Sequence, residues 1–175
     1  MKRYIRTAII DMKDEPAETR REIAASPHTR EDELLKLAMD GDPYVVAGLL
    51  RNPNLPVSIL EILTDSRLAN IRYAIAGRET TPPDILEKLS RDEDWEVRVA
   101  VAGNPNTPED ILNILSQEGS TAMIYSLLMN PRVPSSLVAR VAGWKWCQYD
   151  PDICDAIINC PNTPADVRER LEAME

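Results

Sequence analysis

Three cysteines and one histidine are the residues of this sequence that could support metal binding or nucleophilic catalysis. Six and five residues separate Cys147, Cys154 and Cys160, so the chain has no Cys-x-x-Cys pair of the kind that holds zinc or an iron–sulfur cluster. No nucleophile–base pair can be proposed for His28, which lies in a turn. Glycine occurs only six times and forms no phosphate-binding loop. We therefore predict no metal, no cofactor and no enzymatic activity.

Acidic side chains are concentrated in one stretch. Between Glu79 and Glu118 there are ten acids and three bases, a local net charge of −7, within a chain whose formal net charge is −9. Such a field repels nucleic acid and anionic membranes and attracts basic protein surfaces. We predict that the acids of one linker steer a protein partner; these are Asp92, Glu93, Asp94 and Glu96.

The acidic stretch belongs to a repeated pattern. Residues 71–86, IRYAIAGRETTPPDIL, and residues 97–112, VRVAVAGNPNTPEDIL, are nearly the same segment written 26 residues apart. One marker column with this period holds Pro27, Pro53, Glu79, Pro105 and Pro131. The last copy, PNTP, begins 30 residues after Pro131 instead of the usual 26, which indicates four inserted residues near 143–150. A fixed period of this size predicts an all-α solenoid whose units bury their apolar faces by stacking.

Each unit is predicted to form two short helices. In the first helix, Val97, Ala100 and Val101 have helical spacing, and the small central residue allows close approach of neighbouring helices. This helix should end at Gly103-Asn104, where Gly or Asn would take the left-handed capping conformation. Thr107 is predicted to be the N-cap of the second helix, whose apolar side chains complete the core.

At these residues the sequence resembles the variant leucine-rich repeat family of bacterial helical-repeat proteins, whose units carry the pattern VR-x-AVA-x-NP-x-TP-x-x-L-x-x-L. The resemblance covers residues 19–175, with residues 1–18 as an irregular N-terminal capping helix. It implies a right-handed superhelix of about six two-helix repeats, in which the first helical layer is α or 3₁₀. The iron–sulfur cluster that one type of family member carries does not transfer, because this chain has no cysteine before Cys147.

Basic side chains recur in one column of the first helices, at Arg72 and Arg98, with Arg20 in the same pattern. Such a ladder could bind phosphate. We instead predict that each arginine is neutralised by the acidic linker that precedes it, such as Asp92 and Asp94 before Arg98.

An apolar segment, AMIYSLLM at residues 122–129, departs from the pattern. It places Ile124 in the arginine column and Met129 in the column of Gly77 and Gly103, so one of its faces should need a cover. The nearby insertion contains aromatic residues of the types enriched at interface hot spots. Two interpretations stay open: the tryptophans fold back over this helix, or they face a partner. The second interpretation makes three residues apolar anchors, namely Tyr125, Trp144 and Trp146.

The preferred hypothesis is a non-catalytic scaffold that binds another protein through a repeat face. The alternative is a small acidic inhibitor, phage anti-defence or anti-CRISPR-like, that occupies the nucleic-acid groove of a basic effector protein. A nucleic-acid-binding module is disfavoured because the sequence has no basic stripe. The apolar run of MKRYIRTAIID is too short for a signal-peptide core or a membrane span, so we expect a cytoplasmic protein with no membrane partner. The oligomeric state stays open.

Overall fold

The computed structural model describes residues 14–143 and 150–173, and within these ranges every regular element is helical. The predicted all-α class is therefore confirmed for the described residues. The second helices begin after a turn of a few residues, as the repeat pattern predicts. The α-helices of the described residues are α1 (Ala17–Ala25), α2 (Glu31–Ala38), α3 (Pro43–Arg51), α4 (Val57–Thr64), α5 (Ala69–Ala76), α6 (Pro83–Leu89), α7 (Trp95–Gly103), α8 (Glu109–Leu115), α9 (Thr121–Met129), α10 (Ser135–Ala142), α11 (Pro151–Asn159) and α12 (Ala165–Glu172).

Both helical layers of the repeats are α-helical. The first helix of each pair, such as α7, and the second, such as α8, are α-helices, whereas the 3₁₀ turn at Ser116–Glu118 follows α8 as a short extension. Of the two possibilities that the resemblance left open for the first helical layer, α and 3₁₀, the structure thus shows the α-helix. The predicted capping element at 1–18 stays a prediction, because residues 1–13 lie outside the described part of the chain.

The chain divides into two compact units, Met1–Leu63 and Thr64–Glu175. In the N-terminal unit α1 packs closely on α3, and α2 also contacts α3. Gly48 sets the distance between α1 and α3, because a Cβ atom there would lie 2.5 Å from the carbonyl oxygen of Arg21. A side chain at this position would push the two helices apart.

In the C-terminal unit the first helices form a continuous layer, in which α5 packs on α7, α7 on α9 and α9 on α11. Equivalent positions of these helices are buried in every repeat; they are Ile75, Val101, Leu127 and Ile157. The second helices bury their own column against this layer, with Ile85, Ile111, Leu137 and Val167. Burying one such side chain contributes roughly 1.5–3 kcal/mol, so this stacking is the main source of stability in each repeat.

The turn between the two helices of a repeat is held by a buried asparagine. Asn104 follows α7, and its Nδ2 donates to the carbonyl oxygens of Ala76 and Arg78 in the preceding repeat at 2.6 and 2.8 Å. Its Oδ1 accepts from the backbone N–H of Asn106 at 2.8 Å. Asn130 makes the corresponding bonds to Ala102 and Asn104. Each asparagine therefore joins two repeats and closes its own turn.

The predicted left-handed cap at Gly103-Asn104 is wrong. Asn104 is the C-cap with a φ of −74°, and Gly103 is the last residue of α7. Positive φ angles occur in the described residues at Gly41 and Gly119. An extended Asn104 points its side chain toward the preceding repeat, where the buried carbonyl groups need a donor. The inter-repeat hydrogen bonds thus decide the backbone conformation here.

The predicted N-cap role of Thr107 is also wrong. Helix α8 begins at Glu109 after Pro108, and no side chain caps it. Instead the Thr107 hydroxyl donates to the carbonyl oxygen of Val101 at 2.5 Å, and Thr81 makes the same bond to Ile75 at 2.6 Å. The threonine thus adds a second hydrogen bond to a carbonyl group in the last turn of the first helix, since Val101 also accepts from the Asn104 N–H and Ile75 from the Arg78 N–H.

Replacing Asn104 should destabilise the protein strongly. In Asn104→Ala, the buried carbonyl group of Ala76 and the N–H of Asn106 lose their partners, and the carbonyl group of Arg78 keeps only its bond from the Thr81 N–H, so we expect a loss of about 2–4 kcal/mol in the free energy of unfolding. Urea denaturation followed by circular dichroism measures it. Asn159→Ala is the control, because the exposed Asn159 donates to the carbonyl oxygen of Asp155 within α11. Equal losses in the two variants would contradict the role given to Asn104.

Candidate functional site

Arg72 forms a buried, two-pronged ion pair with an acid of the following repeat. Its Nε lies 2.7 Å from Asp92 Oδ2 and its Nη2 lies 2.9 Å from Asp92 Oδ1. Nη1 donates to the carbonyl oxygen of Ser66 at 2.8 Å. The side chain of Arg72 is 9% exposed and that of Asp92 is 6% exposed, so this guanidinium is not available to a phosphate.

The same arrangement recurs at Arg98. Nε and Nη2 donate to the two carboxylate oxygens of Glu118 at 2.6 and 3.1 Å, and Nη1 donates to the carbonyl oxygen of Asp92 at 2.7 Å. Structural pairing of the arginines is therefore confirmed, but the predicted partner is wrong, because the acid comes from the following linker. The carboxylates of the predicted acids act on Arg98 only through their charge: the hydrogen bond to Glu118 is the main cause of the raised pKa of Arg98, and the charges of Asp92 and Asp94 add to it. The Asp94 carboxylate also accepts from the backbone N–H of Glu96 as the N-cap of α7.

A sequence signal for these pairs exists and was missed. The acid lies 20 residues after its arginine, in Arg72–Asp92 and Arg98–Glu118, and also in Arg20–Asp40 with an Nε–Oδ2 distance of 2.8 Å. Where the arginine column holds Val46 or Ile124, the sequence 20 residues later holds Ser66 or Trp144 instead of an acid. The spacing follows from the packing of successive first helices side by side.

The four predicted steering acids have different environments. Burial alone would raise the pKa of the Asp92 carboxyl, but hydrogen bonds from Arg72 and from the backbone of Asp94, with the positive charges of Arg72 and Arg98, lower the pKa below its usual value. Asp94 caps α7, and Glu96 is exposed. Glu93 is 89% exposed, although its Oε1 also lies 3.5 Å from Arg72 Nη2. Of this group, Glu93 and Glu96 present their charges to solvent. Asp92 and Asp94 have structural roles.

The three predicted apolar anchors are described only in part. Tyr125 is half-buried on α9, and its pKa is raised by partial burial and by the nearby carboxylates of Asp150, Asp152 and Asp155. Trp144 and Trp146 lie outside the described residues. On the same helix Ile124 is fully buried and Met129 is 65% exposed. Of the two positions at which this helix departs from the repeat, Ile124 is therefore covered and Met129 is not.

A groove crosses α5, α7 and α9 on the exposed side of the first-helix layer. It has a volume of about 300 Å³, and sequence analysis did not predict it. Its depth comes from small residues at the crossing points. We call it the α5–α9 groove; its lining includes Tyr73, Gly77, Glu79, Ala100, Gly103 and Ser126.

Glu79 adds a carboxylate to the α5–α9 groove from the column that holds proline in the other repeats. The turn tolerates this exchange, because the carbonyl oxygen of Glu79 still accepts from Asn106 Nδ2 at 2.6 Å. This departure from the repeat was the available sequence signal for the groove.

One repeat matches a known family. Residues 95–117 match the family model described as leucine rich repeat variant. The match confirms the predicted resemblance and covers α7, α8 and the turn between them. The repeat family indicates a protein-interaction scaffold. No curated protein and no solved structure matches the chain.

The described residues also bear on metal binding and on membrane-spanning helices. No group of three or more His, Cys, Asp and Glu side chains in residues 14–143 and 150–173 could hold a metal ion. In the part of the chain that the structure describes, no helix has both the length and the apolar character needed to cross a membrane. Cys160 is buried and Cys154 is half-buried, as expected for cysteines that pack as small apolar residues.

The Arg72–Asp92 pair should make stability depend on pH. Because the pKa of Asp92 is lowered in the folded protein, its contribution is complete above the unfolded-state pKa and is lost as pH falls through the lower folded-state value. We expect Asp92→Asn to cost about 3 kcal/mol of unfolding free energy at pH 7, and the difference from wild type to shrink below about pH 4.

Urea denaturation of both proteins between pH 7 and pH 3 measures this difference. The control is Asp65→Asn, which breaks the Lys88–Asp65 pair, whose carboxylate is 72% exposed, and should cost about 0–1 kcal/mol. A constant difference for Asp92→Asn across this pH range would contradict the ionised pair.

Proposed function

We propose that this protein is a non-catalytic repeat scaffold that binds another protein through the first-helix layer of its C-terminal unit. The family match of residues 95–117 supports the scaffold class. The observation that carries the proposal is the chemistry of this layer, which combines a groove, exposed apolar side chains and uncompensated acids. The scaffold itself is the right-handed array of about six repeats that the family resemblance implies.

Charge is distributed unequally over the C-terminal unit. Within α5, α7, α9 and α11 the basic residues are Arg72 and Arg98, and both are ion-paired. The same helices carry exposed acids at Glu96, Asp152 and Asp155. A partner that approaches this layer meets negative charge, which favours association with a basic protein surface.

Exposed apolar side chains lie on the same helices. Tyr73 on α5 is 49% exposed and Met129 on α9 is 65% exposed. Large side chains of this kind supply contact area at protein interfaces. Tyr125, Trp144 and Trp146 complete the proposed anchors, with Glu93 and Glu96 as steering charges.

The alternative function, an acidic inhibitor that occupies the nucleic-acid groove of a basic effector, depends on free charge. Arg72 and Arg98 neutralise Asp92 and Glu118, and Asp94 is used as a helix cap. Fewer acids of the 79–118 stretch are therefore available to imitate a phosphate backbone. We rank this function second.

Association kinetics test the scaffold proposal. A partner is first captured from source cells on the immobilised full chain, and its binding to purified variants is then measured by surface plasmon resonance. We expect Trp146→Ala to raise the dissociation rate at least tenfold, because hot-spot aromatics contribute about 2 kcal/mol or more.

The steering charges are tested in the same assay. The double variant Glu93→Gln, Glu96→Gln should lower the association rate several-fold at low salt and have little effect at 0.5 M salt, where charges are screened. Glu109→Gln, Asp110→Asn is the matched control, since it removes the same charge from the exposed start of α8. An effect of equal size in the control would contradict steering by the linker.

A further inference from the structure

We infer that the α5–α9 groove receives an arginine or lysine side chain from a partner's peptide segment, with Glu79 as its counter-charge. The inference rests on the proposed scaffold function and names the chemistry of what the scaffold binds. Three independent features of the groove carry it: its shape, its single ionisable carboxylate and its aromatic wall.

The shape of the groove is set by glycines on two helices. A Cβ at Gly77 would meet only the Tyr73 carbonyl oxygen at 3.6 Å, so this position opens directly to the groove. At Gly103 a Cβ would lie 2.8 Å from Ser126 Oγ, which itself donates to the carbonyl oxygen of Val99. α9 has Met129 in the glycine column, so the groove is confined to α5 and α7 at this level. A volume of about 300 Å³ suits a side chain with its flanking backbone.

Glu79 is the charged residue of the groove lining. Its backbone maintains the turn in the way that proline does in other repeats, so its side chain is not needed for the fold. Two bases lie in neighbouring turns, and hydrogen bonds engage both of them. Arg78 donates to Thr80 Oγ1 at 2.7 Å, and Arg132 donates to the Pro105 carbonyl oxygen at 3.4 Å. Neither base forms an ion pair with Glu79, and among the described residues no ion pair involves its carboxylate, which can therefore accept from a cation that a ligand brings.

Tyr73 forms an aromatic wall of the same groove and is half-exposed. A guanidinium or ammonium group that lies beside an aromatic ring and a carboxylate is attracted electrostatically by both. Its aliphatic stem can lie along apolar surface. Val99 and Ala100 supply that apolar surface on α7. An aromatic ring, a carboxylate and small apolar residues together select a basic side chain over an acidic or neutral one.

A displayed peptide library tests the inference directly. Random twelve-residue peptides on phage are selected on the full-length wild-type chain, and the enriched peptides are synthesised and measured by fluorescence anisotropy. We expect an arginine or lysine at one fixed position of the enriched peptides. Replacing that arginine by citrulline, or that lysine by norleucine, should weaken binding about tenfold, since the contact is a charge-assisted hydrogen bond.

Three variants of the protein complete the test. Glu79→Gln and Glu79→Pro should each weaken binding about tenfold, and the loss should not add to that of the neutral peptide, because both changes break one contact. Glu79→Pro keeps the fold, since proline occupies this column in the neighbouring repeats. Gly77→Met should abolish binding by placing a long side chain in the groove, with the residue type that the α9 repeat has in this column at Met129. Glu109→Gln removes one charge elsewhere and should leave binding unchanged.

The outcomes separate this inference from the scaffold proposal. The inference is overturned if no peptide is enriched, if enriched peptides lack a common basic position, or if the Glu79 variants bind them as wild type does. If a cellular partner still binds in a Trp146-dependent manner in those cases, the scaffold function stands without the groove.

Discussion

The hydrogen bonds that a buried asparagine makes to the preceding repeat are the constraint on which the rest of the structure depends. The carbonyl groups at the end of each first helix are buried by the next repeat and need donors. Asn52, Asn104 and Asn130 supply them from one side chain each, which also closes the following turn. The stacking of apolar columns stabilises the array, and these polar bonds fix the register of a repeat on the preceding one where the asparagine is present; Arg78 and Cys160 occupy its column after α5 and α11.

Pairing of charges between repeats follows from that register. Once successive first helices lie side by side, an arginine reaches the linker of the next repeat and meets an acid 20 residues ahead. The same pairing takes equal positive and negative charge out of the surface, so the net charge of −9 is unchanged and is carried by the acids that remain unpaired. The first-helix layer keeps a set of acids that have no basic residue beside them on these helices. In the proposed function, this remaining negative charge sets the kind of partner that the layer attracts.

The function that we propose depends on departures from the repeat more than on the repeat itself. Glu79 replaces a proline where the turn needs no side chain, and the exchange brings a carboxylate into the α5–α9 groove. Met129 and Tyr73 expose apolar surface on helices that otherwise bury it. A residue that the fold does not require is free to be used for binding, whereas Asp92 and Asp94, chosen from sequence as steering charges, are needed by the fold.

The sequence by itself determined the helical class, the two-helix unit and the buried columns, because a 26-residue period and apolar residues three and four apart are local patterns. It also indicated that Arg72 and Arg98 are paired. Only the tertiary structure decided which acid each arginine meets, and that the side chains of Asn104 and Thr107 donate to carbonyl groups. It also decided that residues from three successive repeats line one groove. These features depend on contacts between repeats, and a linear sequence gives no distance between side chains that are far apart along the chain.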